Sequence, residues 1–291
     1  MADGCTLCPR RCGAARSEGR RGYCGTDGAL RIARAGIHLW EEPALGPRSG
    51  AIFFSGCPLH CIFCQNHVIS GGEVGKTVSP ARFGEICRSL KEQGASNLDL
   101  VTPMHFADTV APVLSGIKEE LSLPVIVNTG GYDSARQIDL FDGVADIYLP
   151  DYKTASEALA AEILRAPDYP AVAETAITRM VRQAGPPVYG DDGFLRKGVI
   201  VRHLVLPGHR AESIAALRRL RELFMPDEII LSLMSQYTPI PGMKPPFDRR
   251  LTTFEYESVL AEADRLGFDG FCQERSSAKE EYTPPFDQEG L

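Results

Sequence analysis

Three cysteines stand within eight residues of this chain: Cys57, Cys61 and Cys64, in 55-SGCPLHCIFCQN-66. Thiolates select zinc, copper(I) and the irons of iron–sulfur clusters. A structural ion asks for four ligands in a closed shell, whereas a catalytic metal keeps a position open for another molecule. Three thiolates hold three irons of a cubane and leave the fourth iron without a protein ligand. The missing fourth cysteine then makes room for a ligand. The bland alternative is a structural zinc or a chance cluster of thiols.

A second group, Cys5, Cys8, Cys12 and Cys24, follows the pattern C-x2-C-x3-C-x11-C. Four thiolates close a tetrahedral site and suit structural zinc. They equally hold an auxiliary [4Fe-4S] cluster or a rubredoxin-type iron. Pro9, Gly13, Gly22 and Gly25 suit tight turns around a metal, and Arg10, Arg11, Arg16, Arg20 and Arg21 either offset thiolate charge or solvate the segment. Four free thiols in a floppy leader are the alternative. Cys87 lies beside Ile86 on a predicted helix and reads as a small core residue; Cys272 reads as core, or as a redox or hydrogen-donor group.

The 291 residues carry a net charge of −7 and no long basic run, which argues against non-specific nucleic-acid binding. The opening MADGCTLCPRRC has no apolar signal-peptide core, and no apolar run approaches the roughly 20 residues that span a bilayer. A cytoplasmic protein without a membrane partner is expected. In a reducing compartment nine cysteines point to metals or catalysis before disulfides.

Elements must carry these groups to one place. Apolar runs at 51–55, 98–102, 124–129, 146–150, 199–206 and 228–234 read as strands. Helical patterns lie between most of them: one opening at Ser79-Pro80, then 106–121, a short one at 134–141, 156–165, 171–184 and 211–224. A last helix at 253–266 precedes a seventh strand candidate in GFDGFCQE, and the polar tail SSAKEEYTPPFDQEGL belongs on the surface. This alternation predicts a parallel sheet covered by helices, with too few units for a closed eight-fold barrel. Three segments are expected: a Cys-rich metal-binding module and linker over 1–50, the α/β unit over 51–250, and a C-terminal helix, strand and tail over 251–291. Polar residues cluster just after the strands, at Thr102–His105, Asn128–Tyr132, Asp151–Lys153, Pro207–His209 and Ser235–Tyr237. The carboxyl ends of parallel strands form the active-site face, so these groups and the three-cysteine loop after Ser55 should share one mouth.

The spacing C-x3-C-x2-C, with Phe63 before the last cysteine and a strand before the first, resembles the radical S-adenosylmethionine (SAM) superfamily. CPLHCIFCQN is most similar to the activating-enzyme branch, which includes pyruvate formate-lyase activating enzyme and its uncharacterised relatives. The likeness runs over about residues 50–240 and takes in the leader CTLCPRRCG…GYCG. It implies an α/β partial (β/α)6 TIM-like barrel, with Cys57, Cys61 and Cys64 ligating a [4Fe-4S] cluster whose unique iron chelates SAM. One-electron reduction, from a donor such as flavodoxin or ferredoxin, then yields a 5′-deoxyadenosyl radical that abstracts hydrogen. In activating enzymes the hydrogen comes from a glycine of a partner protein; a small molecule or another peptide is the alternative substrate. A non-catalytic iron–sulfur or redox protein is the reading from a different class.

The resemblance implies roles one position at a time. Thr102 and its neighbour His105 stand where the family places a Gly-Gly-Glu turn for the SAM amino group. Asn128-Thr129 matches an Asp-Thr near the SAM carboxylate, and Asp151 with Lys153 matches an Asp-x-Lys pattern. Asn128 lacks the negative charge that a monovalent cation there would meet. Arg202 matches a fifth-strand arginine that reaches SAM, and Gln236 and Tyr237 end the sixth strand on the adenine or substrate side. Without that frame Asp151 and Arg202 read as surface or salt-bridge residues, His105 as a helix cap and Gly130-Gly131 as a tight turn, although the glycine pair equally lets adenine approach the backbone.

Overall fold

Strands buried on both faces of a parallel sheet need apolar residues at successive positions, not alternate ones. The chain meets that demand. In the computed structural model, which describes residues 4–39, 41–272 and 285–291, the elements run in the following order. They are β1 (Arg31–His38), β2 (Ser49–Phe54), α1 (His67–Ser70), β3 (Lys76–Thr77), α2 (Pro80–Glu92), β4 (Asn97–Val101), α3 (Ala107–Leu121), β5 (Val125–Thr129), α4 (Ala135–Leu140), β6 (Ile147–Pro150), α5 (Glu157–Leu164), α6 (Tyr169–Ala184), β7 (Val188–Tyr189), β8 (Leu195–Leu204), α7 (Arg210–Leu223), β9 (Ile230–Met234), α8 (Thr253–Leu266) and β10 (Gly270–Cys272). Every residue of β2, β4, β5, β6 and β9 is buried.

The sheet order is β10-β9-β8-β6-β5-β4-β2-β1-β3, and β2 through β10 along this path pair in parallel. Spatial order therefore follows chain order, and each crossover winds the same way. That is the winding of a (β/α) barrel left open, not of a doubly wound sheet. Alternate residues give the sheet two apolar faces. Leu98, Leu100, Val127, Val199 and Val201 belong to the main core with the helices. Ile126, Ile147, Leu149, Ile200 and Ile230 form a second cluster, which Ala44 and Leu45 from the β1–β2 connection complete.

The six expected strands, the helices between them and the seventh parallel strand are all present. Ser79 caps α2 by accepting from the Arg82 N–H at 3.1 Å, with Pro80 in the first turn, as the sequence predicts. Three strands were not anticipated: β1, β3 and β7. β1 pairs antiparallel with β2 from inside the segment read as module and linker. Its pattern, RIARAGIH, is broken by Arg31, Arg34 and Gly36, which leaves too short a periodic run to recognise. Cys87 is buried in the main core. Cys272 departs from the core reading: it is exposed at the end of β10, which among the described residues has a partner on one side only. Gln273 and Glu274 of the expected seventh strand, Trp40 of the linker and tail residues 276–284 lie outside the described residues. Among those described, no helix is long and apolar enough to cross a membrane.

Candidate active site

The three-cysteine loop begins where β2 ends. Ser55 anchors the turn through its N–H to the Arg31 carbonyl at 3.0 Å and its hydroxyl to the Val74 carbonyl at 2.5 Å. Gly56 follows with φ +88°, and a Cβ there would stand 2.5 Å from the Cys24 carbonyl oxygen, so only glycine fits. His60 adopts φ 55°, an uncommon left-handed conformation for a side-chain-bearing residue. The Ile62 N–H reaches the Ile163 carbonyl at 3.0 Å and pins the loop to α5. Cys57, Cys61 and Cys64 are half-buried free thiols. The Leu59 N–H points at Cys57 Sγ at 3.4 Å. Burial pushes the Cys64 thiol up to about 12, with Cys57 nearby adding to this and Lys153 opposing it. Burial raises Cys57 and Cys61 as well, again against Lys153. Three neighbouring thiols this hard to ionise become thiolates when a metal displaces their protons.

Lys153 ties the loop to the strand ends. Its Nζ donates to Asp151 Oδ2 at 2.6 Å and lies 6.0 Å from the Phe63 ring centre. Arg202 Nε donates to Asp151 Oδ1 at 3.1 Å, and its Nη2 donates to Asn128 Oδ1 at 2.5 Å. Asn128 Nδ2 continues to Asp99 Oδ2 at 3.5 Å. One chain of polar contacts thus crosses the ends of β6, β8, β5 and β4. Asp151 and Lys153 side chains are each 15% exposed and Arg202 17%, so these are not the solvated surface pairs that contribute little. Burial alone would raise the Asp151 carboxyl, but Lys153 and Arg202 outweigh it and hold the group below its ordinary value.

The other sequence candidates take separate places. Thr102 follows β4 with φ 61°, and its N–H donates to the Asn128 carbonyl at 2.8 Å. Such a conformation costs on the order of 1 kcal/mol. Thr129 Oγ1 donates to buried Asp133 at 2.6 Å. His105 is buried under the cysteine loop, its Nε2 2.8 Å from the Ser55 carbonyl. It supports the β2 strand end and provides no cap hydrogen bond to the helix that follows. The Gln236 carbonyl accepts from Gln65 Nε2 at 3.1 Å, which places the end of β9 opposite the residue after Cys64. Tyr237 packs on Phe63 with ring centres 6.4 Å apart.

Several contributors were missed. The Tyr169 hydroxyl shares its one proton between the Asp151 and Gly130 carbonyls, 2.8 and 3.0 Å away, and accepts from the Lys153 N–H at 3.0 Å, fixing the two turns that carry the ion pair. Nothing in YPAVAE marks that role. Asp99 and Glu42 form a buried acidic layer against Arg202. Glu42 accepts from the Ser232 hydroxyl at 3.1 Å, and burial raises it to about 7. Asp99 had a legible signal, a carboxylate in the middle of the apolar strand LDLVT. Arg10 and Arg16 were expected to offset thiolate charge or to solvate the leader; Arg16 does lie 3.9 Å from Cys5 Sγ, and both also grip backbone carbonyls of the barrel.

Comparisons with known proteins agree with this arrangement. A model of the 4Fe-4S single cluster domain matches residues 45–142, the segment that holds all three loop cysteines. An uncharacterized protein of Methanocaldococcus jannaschii is 27% identical over 278 residues, covering 91% of this chain and 75% of that protein. SuiB of Streptococcus suis, in a crystal structure bound to S-adenosylmethionine, superposes with a TM-score of 0.53 at 12% identity, covering 75% of this chain and 48% of that one. A radical SAM methyltransferase from Sphaerobacter thermophilus superposes with a TM-score of 0.53 at 15% identity, covering 77% of this chain and 65% of that one. The chain spans about half the length of the SuiB structure it matches. Strand order, cysteine loop and superposition together give the conclusion that this chain has the fold of the radical SAM enzymes.

Proposed function

We infer that this chain is a radical SAM enzyme. The observation that carries the reading is the placement of three cysteines on the loop after the first parallel strand, with the Lys153–Asp151–Arg202–Asn128 chain beside them. Cys57, Cys61 and Cys64 suit an iron–sulfur cluster: they are neighbouring, unpaired thiols with a backbone N–H aimed at one sulfur and a lysine nearby. A [4Fe-4S] cluster held there supplies one-electron reductive cleavage of SAM to a 5′-deoxyadenosyl radical. The chain's own groups do the rest. Arg202 and Lys153 offer cationic donors to a carboxylate, and Asn128 and Thr129 offer polar atoms beside them. Asp151 accepts from both cations and so fixes their direction before a ligand arrives. Thr102 and Gln236 present groups from β4 and β9 at the same end of the sheet.

The substrate reading is a glycine in a partner protein, as in the activating enzymes the loop sequence resembles. A SuiB structure bound to its precursor peptide SuiA, which superposes at 11% identity and a TM-score of 0.53, supports a polypeptide over a small molecule. The electron donor would be of the flavodoxin or ferredoxin class. The test uses anaerobically reconstituted protein, dithionite and SAM, with a Cys57/Cys61/Cys64 triple-alanine control. 5′-Deoxyadenosine from the intact protein alone is the expected outcome. A reducible cluster that forms no product with or without a glycyl-radical partner protein would leave a non-catalytic iron–sulfur protein instead.

A further inference from the structure

Cys5, Cys8, Cys12 and Cys24 have no part in the site above, yet the fold gathers them. The Cys5 N–H donates to the Ala14 carbonyl at 2.9 Å, the Gly13 N–H to the Cys5 carbonyl at 3.0 Å and the Arg11 N–H to the Cys8 carbonyl at 3.0 Å, which folds Cys5, Cys8 and Cys12 into one tight loop. A Cβ on Gly22 would lie 3.3 Å from Cys12 Sγ and 3.6 Å from Cys24 Sγ, so this glycine keeps open the space between two sulfurs. Arg16 Nη1 lies 3.9 Å from Cys5 Sγ, and Thr26 Oγ1 lies 3.2 Å from Cys24 Sγ. None of the four is in a disulfide. Donors directed at sulfur stabilise thiolates, which a purely apolar packing role does not require.

Spacing distinguishes the candidate metals. Among the described residues, no three His, Cys, Asp or Glu side chains stand at the distances of one shared ion. A single zinc draws its thiolates to about 2.3 Å each. In an iron–sulfur cluster the thiolates meet different irons, and the sulfurs stay further apart. We propose that Cys5, Cys8, Cys12 and Cys24 hold a second iron–sulfur cluster, and that the module around it positions the three-cysteine loop.

The docking contacts carry the second half. The Cys57 N–H donates to the Cys24 carbonyl at 3.1 Å, so a ligand of one group is hydrogen-bonded to a ligand of the other. His60 Nε2 meets the Tyr23 carbonyl at 2.7 Å. Arg10 donates to the carbonyls of Pro58, Leu164 and Arg165 at 2.8, 3.1 and 2.6 Å. Its guanidinium also stacks 4.3 Å from the Tyr23 ring centre and 5.0 Å from that of Tyr132. The module therefore grips the loop at Cys57, Pro58 and His60, between its first and second cysteines.

The cluster can be tested without the radical SAM reading. A Cys57/Cys61/Cys64 triple-alanine chain, reconstituted anaerobically, should still bind iron and acid-labile sulfide in equal amounts and show iron–sulfur Mössbauer doublets. Adding Cys8→Ser and Cys24→Ser should remove both. Zinc without sulfide in the triple variant, or no metal, overturns the cluster. For the positioning half, Arg10→Lys keeps the charge and all seven thiols but loses the three-carbonyl fork. It should leave total iron unchanged and shift the electron paramagnetic resonance signal of the reduced cluster at the three-cysteine loop. The signal is assigned with a Cys5/Cys8/Cys12/Cys24 quadruple-serine chain. An unshifted signal overturns the positioning role.

Discussion

At the scale of single residues, Asp151 is the pivot of the candidate SAM site. It accepts from both Lys153 and Arg202, so its loss removes the carboxylate that holds the two cations side by side, leaving Lys153 without that partner and Arg202 held by Asn128. Asp151→Ala should weaken SAM binding about tenfold or more, which is roughly 1.4 kcal/mol, while iron content stays at the wild-type level. Equilibrium dialysis with labelled SAM decides this, and unchanged affinity removes Asp151 from the site. His105 gives a pH prediction. Burial lowers its pKa from the ordinary 6.5 to about 3, with Arg16 adding to this and the Ser55 carbonyl opposing. Below about pH 6.5 the unfolded chain takes up a proton that the folded chain refuses. The stability this site contributes is therefore present above that pH and lost as pH falls toward 3, by at most roughly 1.4 kcal/mol per unit. Asp133 and Glu42, both raised to about 7, bias stability the other way in an overlapping range. Only the difference between wild type and His105→Gln isolates the histidine. Urea unfolding should show wild type losing more stability than the variant between about pH 6.5 and pH 5. Parallel pH profiles would rule this out.

At the scale of elements, the βα turns hold the site, and one glycine shows how tightly. Gly131 follows β5 with φ +79°, and a Cβ would stand 2.2 Å from the Asp151 carbonyl oxygen and 3.2 Å from the Tyr169 hydroxyl. Gly131→Ala must push the β5 and β6 turns apart, with a cost of about 2–4 kcal/mol. Calorimetry should show a clearly lowered Tm, and a Tm within a degree of wild type would mean that the turn relaxes freely. The sequence suggested a tight turn or a close approach of adenine here, not this contact, because the partner that forbids a side chain comes from a different strand. Asn128, Asp151, Lys153 and Arg202 were legible for the opposite reason: each ends or follows an apolar run, where parallel strands collect their polar groups. Helix α8 was equally plain, since a Thr252–Glu255 capping box opens it and Gly267 closes it. β1 was not, because its arginines interrupt the pattern and its order comes from pairing with β2.

At the scale of the whole molecule, the parallel strand order could be anticipated from alternation alone, while the joining of its two ends could not. Residues 41–45 pass from β1 to the inner face of the sheet, where Ala44 and Leu45 join Ile126, Ile147 and Ile230, and Glu42 meets Ser232. Composition shows only a Pro-containing linker there. The cysteine leader is joined to the barrel in a different manner. Arg10 binds the carbonyl oxygens of Pro58, Leu164 and Arg165, and Arg16 binds that of His105. A carbonyl oxygen is present whatever side chain a position bears. Substitutions at 164 and 165 that preserve the backbone path leave this joint intact, whereas a change at Arg10 has no substitute donor in the same place. Around Arg10 and Arg16 the seam is thus tolerant of drift on the barrel side and intolerant on the leader side, while at His60 and Ser134, whose side chains meet the Tyr23 and Leu7 carbonyls, the asymmetry reverses, a pattern that a saturation-mutagenesis map of the two surfaces would display directly.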